Sequence, residues 1–317
     1  MDIRVIDRRD PFGKEVGRYK SFPTVVKTES YIFLAFREGV VNAEKPHGES
    51  GVVRLFRSAD ALKWDEIPTP FSENELDAII SGPFGEYLFL WTRSFVYKKG
   101  GDVYLSRFRV GDSPGNRRVF RLSEVTFCPF SHIREVDSVL IGTGYGRRTS
   151  GVGTPIVLES KDLGDSWGVR GFVTPDGFSP ELNEISLLPL DDEFFAVMRS
   201  REPSFDLYYS FSNDASVWNE PRKIGILGHA PMLLRSGSGK VMFVFRDLME
   251  ATPGVGLAVS SDLKEWDYFR VDEYAGDMYD GGYADIVELD RDEFFVVYYM
   301  CDEDASPWIR TSFIKLS

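Results

Sequence analysis

The sequence predicts an all-β fold, a six-bladed β-propeller closed by an N-terminal strand in the last blade, with residues 1–317 forming one domain. Three observations carry this. A serine, an aspartate two places on and then a tryptophan recur four times, as Ser58-Ala59-Asp60 to Trp64, Ser160-Lys161-Asp162 to Trp167, Ser212-Asn213-Asp214 to Trp218 and Ser260-Ser261-Asp262 to Trp266. The serines stand 102, 52 and 48 residues apart, which is one double period and two single periods of about fifty. That is the length of a four-stranded propeller blade. Six pairs of short apolar runs share the period, and a strand-like segment precedes the first pair.

Taken in order, Ile3-Arg4-Val5-Ile6 is expected to be the outer strand of the last blade, hiding edges that would otherwise invite aggregation. The first pair is Phe22-Pro23-Thr24-Val25-Val26 with Tyr31 to Arg37, and the second is Asp77-Ala78-Ile79-Ile80 with Tyr87 to Arg93. A worn copy of the serine box, Tyr104 to Phe108, fills the double period. The third pair is Ser131-His132-Ile133 with Val139 to Arg147, and the fourth is Glu184 to Leu188 with Phe194 to Arg199. The fifth, Met232-Leu233-Leu234 with Val241 to Arg246, turns at Ser236-Gly237-Ser238-Gly239. The sixth is 283–289 with 293–300, followed by a third strand near 308–316. Short runs separated by turn residues are hairpins. Each box is expected to bond its own backbone in the turn between third and fourth strands, with its tryptophan between sheets and no catalytic role.

Composition narrows the function. Aromatic residues make up 14% of the chain, mostly Phe and Tyr, which suits strands. A net charge of −13 argues against a nucleic-acid partner and favours simple solubility. No apolar window is long enough to span a bilayer, so no membrane partner is expected. The opening Met1 to Asp7 lacks the apolar segment of a secretory leader, so the expected location is cytoplasmic. Cys128 and Cys301 make no disulfide framework, and three histidines show no zinc spacing. The run Gly142 to Gly146 continues a strand without a following helix, which disfavours a phosphate loop. No metal or cofactor is expected.

A propeller's first strands line its channel, and their opening residues meet at one mouth. The column fifteen places before each second-strand end holds Phe22, Ala78, His132, Glu184, Pro231 and Tyr283, with His229 two before Pro231. The second strands end on Arg37, Arg93, Arg147, Arg199 and Arg246. A carboxylate opening an apolar strand is costly unless used or paired, which singles out Glu184. His132 reads more simply as a hydrogen-bonded channel residue. Asp277 and Asp280 precede Tyr283 in a Gly-rich loop and either bind a ligand or shape the turn.

These residues carry a resemblance to the sialidase superfamily over nearly the full length. Asn183 to Leu188 through Arg199 resembles the segment bearing that family's glutamate and second arginine, and Gly282 to Leu289 the segment bearing its nucleophilic tyrosine. The resemblance implies Tyr283 as nucleophile with Glu184 as its base. It departs at two positions: Ser21 stands where the first arginine is expected, and Gly254 to Val259 contains no third one. The loop expected to hold the acid/base, between Arg37 and Ser58, has no aspartate and offers His47 and Glu49. Arg-Glu-Gly before a histidine, Gly228-His229-Ala230-Pro231 and Tyr298-Tyr299 resemble an atypical branch of the family that lacks most of the arginine triad. The implied function is a glycoside hydrolase-like enzyme acting on a terminal, possibly anionic sugar at the propeller mouth. Glu184, Tyr283 and His47 or Glu49 are its catalytic residues, and Arg199, Arg37, Arg246, His229 and Asp280 its substrate-binding residues. A uronic-acid polysaccharide lyase and a non-catalytic carbohydrate-binding propeller are the alternatives. Carbohydrate is the expected partner, and the oligomeric state stays open. A five-bladed furanosidase or glycoside phosphorylase shares Ser-x-Asp-Leu-x-x-Trp turns, but six first strands argue against it.

Overall fold

A computed structural model describes residues 2–41, 51–71, 75–94, 102–115, 117–122, 125–147, 153–201 and 204–317. Among them the chain forms 24 strands and no helix. Blade one is Arg18–Lys27, Ile32–Val40, Gly51–Ser58 and Asp65–Ile67, and blade two is Glu75–Phe84, Tyr87–Ser94, Val103–Arg109 and Arg118–Phe120. Blade three pairs Val139–Arg147 with two short pieces, Cys128–Pro129 and Arg134–Val136, and continues through Gly153–Ser160 and Gly168–Phe172. Blade four is Leu182–Pro189, Phe194–Ser200, Asp206–Ser212 and the first half of Arg222–Arg235. The second half of that long strand opens blade five, with Val241–Asp247, Gly254–Ser260 and Asp267–Glu273. Blade six is Ala284–Asp290, Glu293–Met300 and Trp308–Leu316, finished by Ile3–Arg9. Ile3 pairs antiparallel with Leu316 and Arg9 with Thr311, which closes the ring as the sequence predicts.

Because side chains alternate along a strand, each sheet buries one face against the blade before it and the other against the blade after it. The core accordingly divides into six wedges. Val25 and Leu34 of blade one pack on Phe295 and Val297 of blade six, while Val26 and Phe33 pack on Ile80 and Leu88 of blade two. The remaining wedges follow the same rule round the ring. The serine boxes hold the outer corners. Asp60 Oδ1 accepts from the backbone N–H groups of Leu62 and Lys63 at 2.8 and 2.9 Å, and Asp214 and Asp262 repeat the pattern. The residue after each box aspartate turns left-handed, with φ of 60° at Ala61 and 61° at Leu263. Each tryptophan enters a wedge: Trp266 lies 4.9 Å from Phe243 of its own blade and 6.1 Å from Phe195 of blade four.

The first strand of blade three is expected at Ser131-His132-Ile133, and there the ladder is interrupted instead. Ser131 takes a φ of 71°, and the His132 ring turns into the channel. It spans the Ile80 carbonyl at 2.7 Å and the Asp285 carboxylate at 3.0 Å. Asp285, 1% exposed, also accepts from the Val25 N–H at 2.7 Å and the Thr24 hydroxyl at 3.0 Å. One carboxylate thus ties blades one, three and six across the channel, and the cross-link compensates the lost strand pairing. Gly144 opposite this break has to be glycine, since a Cβ there would lie 2.2 Å from the Cys128 carbonyl.

Candidate functional site

Near their starts the first strands of blades one, two, four and five each carry an irregular residue that leaves the ladder. The register shifts between Ser21 and Thr24, Leu76 and Ile79, Asn183 and Ser186, and His229 and Met232. The displaced residues take left-handed φ values: 52° at Phe22, 53° at Asp77, 38° at Glu184 and 53° at Ala230. Such bulges re-aim side chains next to functional sites, at a cost in backbone strain. They surround one mouth of the channel, where a cavity of about 190 Å³ is lined by residues from all six blades.

The column at this mouth is Phe22, Asp77, Ser131, Glu184, Ala230 and Tyr283. The sequence-derived column is corrected at three positions, where Ala78, His132 and Pro231 give way to their preceding neighbours. The hairpins of blades two, three and five are one residue longer between bulge and anchor than those of blades one and four, so a constant offset of fifteen misses by one. Asp77, Cys128 and Tyr145 are among the polar lining residues that sequence reasoning missed. The first of them opens the second apolar run, and a variable offset would have found it.

Glu184 and Tyr283 meet at the centre. The Tyr283 hydroxyl donates to Glu184 Oε1 at 2.7 Å, and Arg199 Nη1 donates to the same carboxylate oxygen at 2.7 Å and to the Tyr283 oxygen at 3.2 Å. The Ala230 N–H holds Glu184 Oε2 at 3.1 Å, so both carboxylate oxygens are oriented. Burial, followed by the Glu184 charge, holds the Tyr283 phenol above its ordinary range, while Arg246 and Arg199 oppose them. The phenol is therefore protonated at rest, with its proton already directed at a carboxylate.

Arg246 and His229 lie behind this pair rather than in the cavity, and the expectation that they contact substrate is corrected. Arg246 is 1% exposed. Its Nε donates to the Gly281 carbonyl at 2.6 Å and its Nη2 to the Tyr279 carbonyl at 2.8 Å and the Tyr299 hydroxyl at 3.1 Å. Its guanidinium carbon sits 4.3 Å from the centre of the Tyr283 ring, close enough for a cation–π contact. Nη1 donates to His229 Nδ1 at 3.3 Å. Burial first, and then Arg199 and Arg246, push the His229 imidazole down to about 2, so it is neutral. The loop supplying those carbonyls needs Gly282, with φ 81°, where a Cβ would stand 2.7 Å from the Gly254 carbonyl.

Arg37 lines the cavity, its guanidinium carbon 5.5 Å from the centre of the Tyr19 ring. Asp280 acts one step back, accepting from the Tyr19 hydroxyl at 2.8 Å. Arg93 also lines the cavity, held by Asp77 and lying 3.1 Å from the Cys128 sulfur. Arg147 lies outside it, in a neighbouring groove. His47 and Glu49 lie outside the described residues. No room for a third arginine exists at Gly256, where a Cβ would meet the Phe245 ring at 2.5 Å.

No family model matches the chain, and no curated protein does. Solved structures do. A protein of unknown function from Dyadobacter fermentans aligns with a TM-score of 0.85 at 16% identity, covering 99% of each chain. A sialidase from Trypanosoma rangeli in complex with the inhibitor DANA aligns with a TM-score of 0.70 at 13% identity over 94% of this chain and 55% of its own, so this chain spans about half that enzyme's length. An α-L-arabinanase from Penicillium chrysogenum, complexed with arabinobiose, aligns at 0.66 with 15% identity, covering 94% and 93%. At these identities the likeness establishes the propeller fold.

Proposed function

We propose that this propeller is a glycosidase that works on one terminal sugar through a tyrosine nucleophile. The observation that carries it is the Tyr283–Glu184–Arg199 cluster, in which a phenol, a base and a cation share contacts of 2.7 to 3.2 Å at the cavity. A phenol attacks only as its proton leaves, and Glu184 is placed to take it. Tyr283 Oη forms a bond to the anomeric carbon, the proton passes to Glu184 Oε1, and the glycosidic C–O bond breaks. The departing oxygen takes a proton from the acid, a role the sequence assigns to His47 or Glu49. Water then attacks the anomeric carbon and gives its proton to the conjugate base of that acid, while the tyrosyl C–O bond breaks and Glu184 returns its proton to the phenol oxygen. Arg199 and Arg246 stabilise negative charge developing on the phenol oxygen.

A cavity of about 190 Å³ is roughly six water volumes, room for one ring. Arg37, Arg93, Asp77 and Glu184 line it, with Arg93 paired to Asp77, a balanced set that suits hydroxyl groups. Among the described residues the cavity lining holds no three-arginine carboxylate clamp, so sialosides are poor substrates in this reading. The raised Tyr283 phenol favours a second reading, sugar binding without turnover. A panel of aryl glycosides and acidic oligosaccharides separates them. Turnover that falls by about 10²-fold or more in Glu184→Gln and Tyr283→Phe supports catalysis. A folded protein that binds sugar and turns over none supports binding alone. Product absorbing in the ultraviolet would assign a lyase.

A further inference from the structure

We propose that the groove beside the cavity is a second subsite, built for an acidic sugar attached to the ring that the cavity holds; this rests on the glycosidase reading above. The groove, about 530 Å³, runs along blades two, three and four and shares Arg93, Cys128 and Tyr145 with the cavity. A ligand leaving the cavity on that side enters it directly.

Its charge is opposite to that of the molecule. The protein carries −13, yet Arg121, Arg147 and Arg201 line the groove beyond Arg93, against the carboxylates of Asp102 and Glu181. The two ion pairs among them are open to solvent. Arg121 reaches Asp102 at 3.2 Å with 76% of its side chain exposed, and Arg201 reaches Glu181 at 3.2 Å with 54% exposed. Exposed pairs of this kind contribute little, so an incoming carboxylate or sulfate can take over the guanidinium forks.

Two further features fit a sugar rather than a bare anion. Asn183 lines the groove one residue before Glu184, and its Oδ1 is buried without a hydrogen-bond partner. Such an acceptor is costly until a donor arrives, and a sugar hydroxyl is a donor. Phe120 and Phe127 supply an apolar face for the C–H side of a ring. The terminal ring thus sits among balanced charges while the next residue of the chain carries the anion.

The test uses the whole protein and two matched probe pairs: oligogalacturonate against its methyl ester, and a chondroitin sulfate oligosaccharide against its desulfated form. Calorimetric titration is run on the wild type, on R121Q/R147Q and on R121K/R147K, with circular dichroism confirming the fold. The proposal expects the acidic member of at least one pair to bind about tenfold tighter per guanidinium–anion contact. It expects that preference to shrink with added salt, to vanish in R121Q/R147Q and to return in part in R121K/R147K. Equal affinity within both pairs, or a preference unchanged in R121Q/R147Q, overturns the groove assignment, and aryl-glycoside turnover in the same samples shows that the glycosidase reading survives. Acidic binding lost in R121Q/R147Q supports the groove even where no glycoside is turned over, and it is then the glycosidase reading that fails.

Discussion

Replacing Arg246 by methionine tests how the enclosed guanidinium supports the site. The change keeps an apolar stem of similar length and removes donors to two carbonyls, a tyrosine hydroxyl and a histidine nitrogen, at 2.6 to 3.3 Å. Each hydrogen bond to a charged group is worth about 1.5–3 kcal/mol, and the cation–π contact adds about 1 kcal/mol. Two effects offset the loss. Methionine recovers packing, and repulsion between Arg246 and Arg199 disappears. Glu184 keeps Arg199 as its partner, so no carboxylate is stranded, and the net cost falls to about 3 kcal/mol, the low-end worth of two such bonds. Urea unfolding at neutral pH measures it. Tyr283 would also lose a cation that now lowers its phenol, so turnover should fall beyond what the lost folded fraction explains. A stability loss under about 1 kcal/mol with unchanged turnover would refute the reasoning.

Other consequences are as direct. His229 is pushed down to about 2 in the folded chain and titrates near 6.5 when unfolded. Its folded value is the lower one, so its contribution is complete above pH 6.5 and drains away as pH falls toward 2, by about 1.4 kcal/mol per unit. Between pH 7 and pH 5 the wild type should lose roughly 2 kcal/mol more than His229→Leu, and parallel urea curves would contradict this. Trp266→Ala opens the wedge between blades four and five and should cost about 3 kcal/mol, read from the thermal unfolding midpoint; a loss below 1 kcal/mol would mean that the box tryptophans are dispensable. Deleting residues 1–9 bares the edge of Trp308–Leu316, and size-exclusion chromatography should show aggregation; a stable monomer would argue against closure by that strand.

The architecture was legible because its markers are local. A Ser-x-Asp turn bonds its own backbone, so Asp60 and Asp214 report blade corners without knowledge of the rest of the chain. Glu184 and Tyr283 were legible as polar residues opening apolar strands. The intervening geometry was not. Hairpin length varies by one residue, which hid Asp77 behind Ala78. The burial of Arg246 and His229 depends on the 277–282 loop folding back over them through Gly282, a tertiary event with no sequence period. Asp285 looked like an ordinary strand residue because its partners Thr24, Val25 and His132 come from distant blades.

The most direct test of the central claim is to trap the tyrosyl intermediate. The wild type is incubated with a panel of activated fluorosugars, and peptides are mapped by mass spectrometry. The account predicts one added glycosyl unit on the peptide containing Tyr283, abolished in Tyr283→Phe and slowed in Glu184→Gln. A glycosyl adduct on another residue, or turnover by Tyr283→Phe at the wild-type rate, would contradict it.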